Sequence, residues 1–333
     1  MGTLFALSGT LLLFLNFREQ VKENKRSAFE ASFFEMIRLH RSNISELLYP
    51  NDNGSDAHPF QNRKVIREIY KEFIECYREV KRYYDSDDIR SYLRNKEIAR
   101  LKRIVKDKDR KIDIIEMAII NLAFMIVYYG LSSEGEGIIK DYLRGRYNDD
   151  HYHKLLFFLR LKPKRTNNRF KIWKNIESKK HSEYHAIVNE LYEARRNLKN
   201  ARDLSAWAEP LVPTDDYYKY YGGHQFRLGH YFRHLYQSFN YLDSHPDLTK
   251  IEKYQYGKLY RAQLSTYEQA LLFVNSISAL GLRWELNAKK GTEAGPNLIT
   301  EYNLIKNLPS SHSSGIKYES YYPDVDYEFQ ELD

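Results

Sequence analysis

Apolar residues recur along most of this chain at steps of three and four, the spacing that gathers them on one face of an α-helix. Phe29, Phe33, Ile37, Ile44 and Leu48 form one such stripe, with His40 on the same face. Ile66, Ile69, Phe73, Tyr77, Val80 and Tyr84 form a second. Between them, residues 51–62 are rich in Asn, Asp, Gly and Pro and read as a loop. Residues 94–111 interleave both signs of charge and read as a solvated helix or linker. The run Ile112–Tyr129 is mostly apolar, but Asp113, Glu116 and Asn121 inside it favour a buried helix over a bilayer span. Residues 130–150 carry the glycines and breaks of a turn, and residues 151–161 make a short helix. Residues 181–204 are amphipathic, closed by Pro210 and Pro213, and Gly222-Gly223 introduces the next helix. No stretch sustains two-residue alternation with β-branched enrichment. The expected fold class is therefore mainly α. A helical domain, residues 18–309, follows a short N-terminal transmembrane or membrane-associated segment, residues 1–17. An acidic, Tyr-rich, loop-like tail, residues 310–333, follows the domain, either disordered or docked on the basic body.

Two later stretches place polar chemistry beside an apolar seam. Over residues 228–242, Leu228, Phe232, Leu235, Phe239 and Leu242 form a stripe flanked by His230, His234 and Tyr241, with Arg233 on the far side. Over residues 260–275, Tyr260, Leu264, Tyr267, Leu271 and Val274 repeat with the same steps beside Arg261, Ser265, Glu268 and Asn275. The candidate polar cluster is Arg233, His234, Arg261, Gln263, Ser265, Glu268 and Asn275. An Arg and a Glu beside a seam are expensive to bury unless paired, so Arg261 or Arg233 is the expected partner of Glu268. Such a cluster is either a satisfied network holding two helices in register or a pocket between them. In a pocket, Glu268 serves as general base or anchor, and Arg261 and His234 meet anionic groups.

Four patches carry a resemblance to a known family: Phe29–His40 (FEASFFEMIRLH), Gly229–Tyr236 (GHYFRHLY), Arg261–Glu268 (RAQLSTYE) and Leu298–Pro309 (LITEYNLIKNLP). In order and spacing these resemble a bacterial family labelled putative phage abortive infection proteins. The resemblance implies phage defence and an N-terminal membrane helix; it transfers no catalytic residue, and whether the chain is an enzyme stays open. The function expected is that of a membrane-anchored sensor or effector acting through interactions. The alternative is a helical RNA-cleaving toxin with its site at the 228–242 and 260–275 helices, for which Arg227, His234 and Glu268 are the catalytic candidates. Arg227 and His234 fit the spacing of Arg, four to six residues, then His used by helical RNases with composite sites. Arg146 and His151 fit it equally, which marks the pattern as weak.

Charge and composition add partners. Residues 4–17 are nearly all apolar and are followed by Arg18, Lys22, Lys25 and Arg26. The positive-inside rule then puts the body in the bacterial cytoplasm, single-pass at the inner membrane; a buried or interfacial helix is the other reading. The net charge of +7 suits an anionic partner. Residues 160–180 hold nine basic residues against one Glu, with Phe170 and Trp173 interleaved. Lys162, Lys164, Arg165, Arg169, Lys171 and Lys174 are the anion-binding candidates, for the inner leaflet of the membrane or for nucleic acid. A phage component and a homo-oligomer complete the expected partners. The single Cys76 excludes an internal disulfide and a Cys-based zinc site. His230 with His234, and His181 with His185, stand four apart without a third ligand, so neither a metal nor a cofactor is expected.

Overall fold

Helical spacing becomes helix over most of the chain. The computed structural model describes residues 2–51, 58–84, 86–107, 112–196, 220–286, 296–309 and 315–328, with the backbone alone for 2–11 and 194–196. It begins with α1 (Gly2–Ser45), a small hairpin of β1 (Leu48–Tyr49) and β2 (Phe60–Gln61), and α2 (Arg63–Arg82). Then come α3 (Asn95–Asp107), α4 (Ile114–Tyr129), α5 (Ser133–Leu143), α6 (Asp149–Arg160), α7 (Phe170–Glu177) and α8 (His181–Arg196). The C-terminal part holds α9 (Gln225–Ser244), α10 (Lys250–Arg261), α11 (Thr266–Ile277), α12 (Leu298–Glu301) and α13 (Tyr318–Tyr321). The amphipathic reading of 181–204 ends in α8; residues 197–219, with Pro210 and Pro213, lie outside the described residues.

The helix that is apolar all round takes the centre. Every residue from Met117 to Val127 in α4 is buried, and α2, α3, α5, α9 and α11 pack around it. Its polar groups are each satisfied. Asp113 caps the helix through Ile115 N, Glu116 accepts from Tyr77, and Asn121 accepts from Ala279 N at 2.7 Å. Gly130 ends α4 at φ +78, where a Cβ would stand 2.6 Å from the Gly222 backbone. This close crossing, closed by Leu131 N to Tyr221 O and His224 N to Tyr128 O, fixes where residues 220–224 meet α2.

Phe29, Phe33, Ile37, His40 and Ile44 are the buried stripe of α1, packed on α9. Leu48 leaves that stripe, because the helix has ended and Leu47 is buried in its place. Residues 12–28 of α1 are exposed all round, so the helix projects from the body until Phe29 makes the first buried contact.

Four expectations are corrected. Among the described residues no helix is long and apolar enough to cross a membrane, so the transmembrane segment is not supported. The apolar run spans only about 21 Å against a hydrocarbon core of about 30 Å. The charged stretch from residue 94 is a packed helix, since Ile98, Leu101 and Ile104 bury one narrow stripe of α3. Residues 133–143 are helical, started by Ser132 accepting from Gly135 N. Of the two readings of the tail, residues 315–328 take the docked one: Tyr318, Tyr321 and Tyr322 are buried against Phe273 of α11. The 260–275 stripe is two helices, broken after Arg261.

Candidate functional site

That break makes the site. Ser265-Thr266-Tyr267-Glu268 is an S-x-x-E capping box: the Ser265 hydroxyl accepts from Glu268 N, while Glu268 Oε2 accepts from Ser265 N at 2.8 Å and Ser265 Oγ at 2.6 Å. The box turns the Glu268 carboxylate inward, to where α1, α2, α9 and α10 converge. Its side chain is fully buried. Tyr231 OH donates to Oε1 at 3.4 Å, His40 Nε2 lies 3.4 Å from Oε1, and Arg63 Nε lies 3.4 Å from Oε2. The His40 contact is not well directed for a hydrogen bond, and His40 Nδ1 is buried without a partner. Around His40 stand the rings of Tyr231, Tyr260 and His234, the last stacked at 6.4 Å. Burial pushes the Glu268 carboxyl upward, but His40 and the Ser265 hydroxyl and amide outweigh it and hold the group below the usual carboxylate range.

The predicted residues divide between several places. Ser265 and Glu268 share this centre, and Gln263 lies at its edge, accepting from Arg41 through its side chain and from Arg63 through its carbonyl. His234 stands beside it with Nε2 against the Met36 carbonyl at 2.8 Å. Arg261 is turned away: it is buried and donates to the Tyr302 carbonyl at 2.8 Å, tying α10 to the end of α12. Asn275 accepts from Trp284 at the far end of α11. Arg233 lines a separate surface cleft with His230 and Tyr128. Arg227 donates to the Leu48 carbonyl and stacks over Tyr49, so it is engaged away from His234. Sequence reasoning missed both His40 and Arg63 as partners of Glu268. His40 was visible on the stripe of α1, and the S-x-x-E pattern announced the cap. Arg63 follows Asn62, whose φ of 56 sets the turn into α2, and nothing local marked it.

The basic segment is also divided. Lys162 is fully buried, with Nζ 2.9 Å from Glu75 Oε1 and 2.5 Å from Glu79 Oε1, and Tyr221 beside it. It is a core ion-pair centre and drops out of the anion-binding surface, because the chain dips inward after α6 and needs a cation between two α2 carboxylates. Arg165 bonds Glu75 and Tyr220, and Lys174 pairs with Glu177 within α7. Lys171, Lys174 and Arg165 stay exposed, while Lys164 and Arg169 are half-buried. Trp173 is core, stacked on Phe158. Burial pushes the Glu75 carboxyl up, yet Lys162, Tyr220 and Arg165 bring it down to about 2. Glu79 moves the other way, raised by its complete burial.

Residues 223–313, which run from the glycine crossing through α9, α10, α11 and α12, match the family described as "Putative phage abortive infection protein". The match supports the resemblance drawn from the sequence and covers three of its four patches. No curated protein and no solved structure is significantly similar to the chain.

Proposed function

Taking that family match as the premise, we propose that this protein acts in phage abortive infection as a membrane-engaging effector or sensor that works through contacts rather than through a reaction at the seam. The match carries the biological role at the level of the family's name. The finer reading rests on one observation, the projecting end of α1, where Leu12, Leu13, Phe14 and Phe17 are 60–71% exposed. Exposed apolar residues in such a row mark a contact surface. The basic residues Arg18 and Lys22 follow them and suit anionic headgroups, while Lys25 and Arg26 are already paired with Asp247, Glu30 and Glu252 on the body. An apolar stretch of about 21 Å reaches into one leaflet without crossing both. The lock of Glu268 on His40 then ties whatever α1 meets to the family-matching helices.

The test uses anionic vesicles and a phage-protection assay side by side. Leu13→Ser, Phe14→Ser and Phe17→Ser combined should leave melting unchanged, since all three are exposed, yet abolish vesicle co-sedimentation and protection. Wild-type protein that ignores vesicles, or a triple variant that still protects, refutes this role for α1. RNA cleavage ahead of any membrane depolarisation in induced cells would favour the nuclease alternative.

A further inference from the structure

One face of α2 carries Glu68, Glu72 and Glu75, and these floor a cavity of about 290 Å³. The size is at the lower end for small-molecule pockets. Glu72 is only 7% exposed. Its Oε2 accepts from Tyr49 OH at 2.9 Å and faces His224 Nε2 at 3.0 Å, while its Oε1 is buried with no hydrogen-bond partner. Glu75, by contrast, has both oxygens taken by Lys162, Arg165 and Tyr220. A buried carboxylate oxygen lacking a donor is costly, and here it belongs to a residue that lines the cavity. The lining includes flat rings, Tyr49 stacked on Phe60 at 6.5 Å and 26°, and Tyr220. The rim is basic. Lys71 and Arg165 pair with Glu68 and Glu75 but are 56% and 60% exposed, with donors left for an anion, and Lys164 is also on the lining.

We propose that this cavity binds a nucleotide, its base against the aromatic lining with an exocyclic amino group donating to Glu72 Oε1, and its phosphate at Lys71, Lys164 and Arg165. An aromatic lining selects a flat ring, the lone acceptor selects an N–H, and the rim selects an anion; a nucleotide joins all three. The site is distinct from the seam at Glu268 and does not depend on α1 meeting a membrane, so either reading can fail alone.

Cytidine and uridine monophosphates test the idea, because cytosine presents an amino donor beside an N3 acceptor where uracil presents a carbonyl beside an N3–H. Calorimetry on the full chain should show CMP binding about tenfold more tightly than UMP, the size of one hydrogen bond to a charged acceptor. Glu72→Gln keeps an oxygen for Tyr49 and His224 but turns an amide N–H toward the cavity, and it should reverse the preference to UMP. A merely structural Glu72 would not produce a reversal. Lys164→Ala should weaken CMP and leave cytidine unaffected. The proposal is overturned if neither nucleotide binds at millimolar concentration, which would leave Oε1 to water alone. It is equally overturned if both bind alike, or if Glu72→Gln leaves the order unchanged.

Discussion

Lys162→Ala is expected to destabilise the protein by about 3–5 kcal/mol, the cost of breaking a buried ion pair by removing one partner. Glu75 and Glu79 would face each other across a hole with no cation between them, and Tyr221 would keep only its bond to Glu79. Urea or thermal melts decide the matter. Lys171→Ala, on an exposed side chain, should move stability by no more than about 0.5 kcal/mol. Lys162→Ala melting with the wild type would show that the buried ammonium holds nothing. The same network predicts an acid limb. The folded Glu75 carboxyl is depressed to about 2 from an ordinary value of 4.5, so its contribution is full above pH 4.5 and is lost as pH falls toward 2. Glu268, also depressed, adds loss of the same sign, whereas Glu79, raised by burial, is relieved by protonation. Glu75→Gln should therefore flatten the fall in melting temperature below pH 4.5, and an unchanged slope would assign the acid limb elsewhere.

The second large effect lies at the seam. Glu268→Ala removes the cap of α11, the acceptor for Tyr231, the contact with His40 and the counter-charge of Arg63 together, for an expected loss of about 3–5 kcal/mol. Glu268→Gln is the informative neighbour. Glutamine at the third helical position can still close a capping box, so only the charge and its contacts are lost, at about 1.5–3 kcal/mol. The lock predicts protection that declines in step with stability across the two variants. A Glu268→Gln protein that melts like the wild type but no longer protects cells would convert the seam into a working pocket.

Helices were legible because amphipathic periodicity is local: the stripes at Phe29–Ile44 and Ile66–Val80 are buried as read. For α3 the helix is legible but its burial is not, because three apolar positions among many charges suffice to bury a narrow stripe, and a reading by overall polarity hides them. The break at residues 262–265 was hidden by side chains that keep helical spacing across it, although S-x-x-E marked the new start. Ion-pair partners were the least visible. Glu268 and His40, or Lys162 and Glu79, are joined by topology across long stretches of chain, and no spacing rule connects them. Lys162 looks in sequence like Lys164 and Arg165; only the path of the chain after α6 separates an interior cation from a surface one.

The unbroken course of α1 has a mechanical consequence. From Thr10 to Ser45 the helix contains neither glycine nor proline, so nothing in its sequence supplies a hinge between Phe14 and His40. Those residues are separated by about 39 Å along the axis. The helix is thus a ruler as well as an arm. It fixes how far the body stands from whatever grips the tip, and it transmits rotation of the tip directly to the ring of His40 under Tyr260.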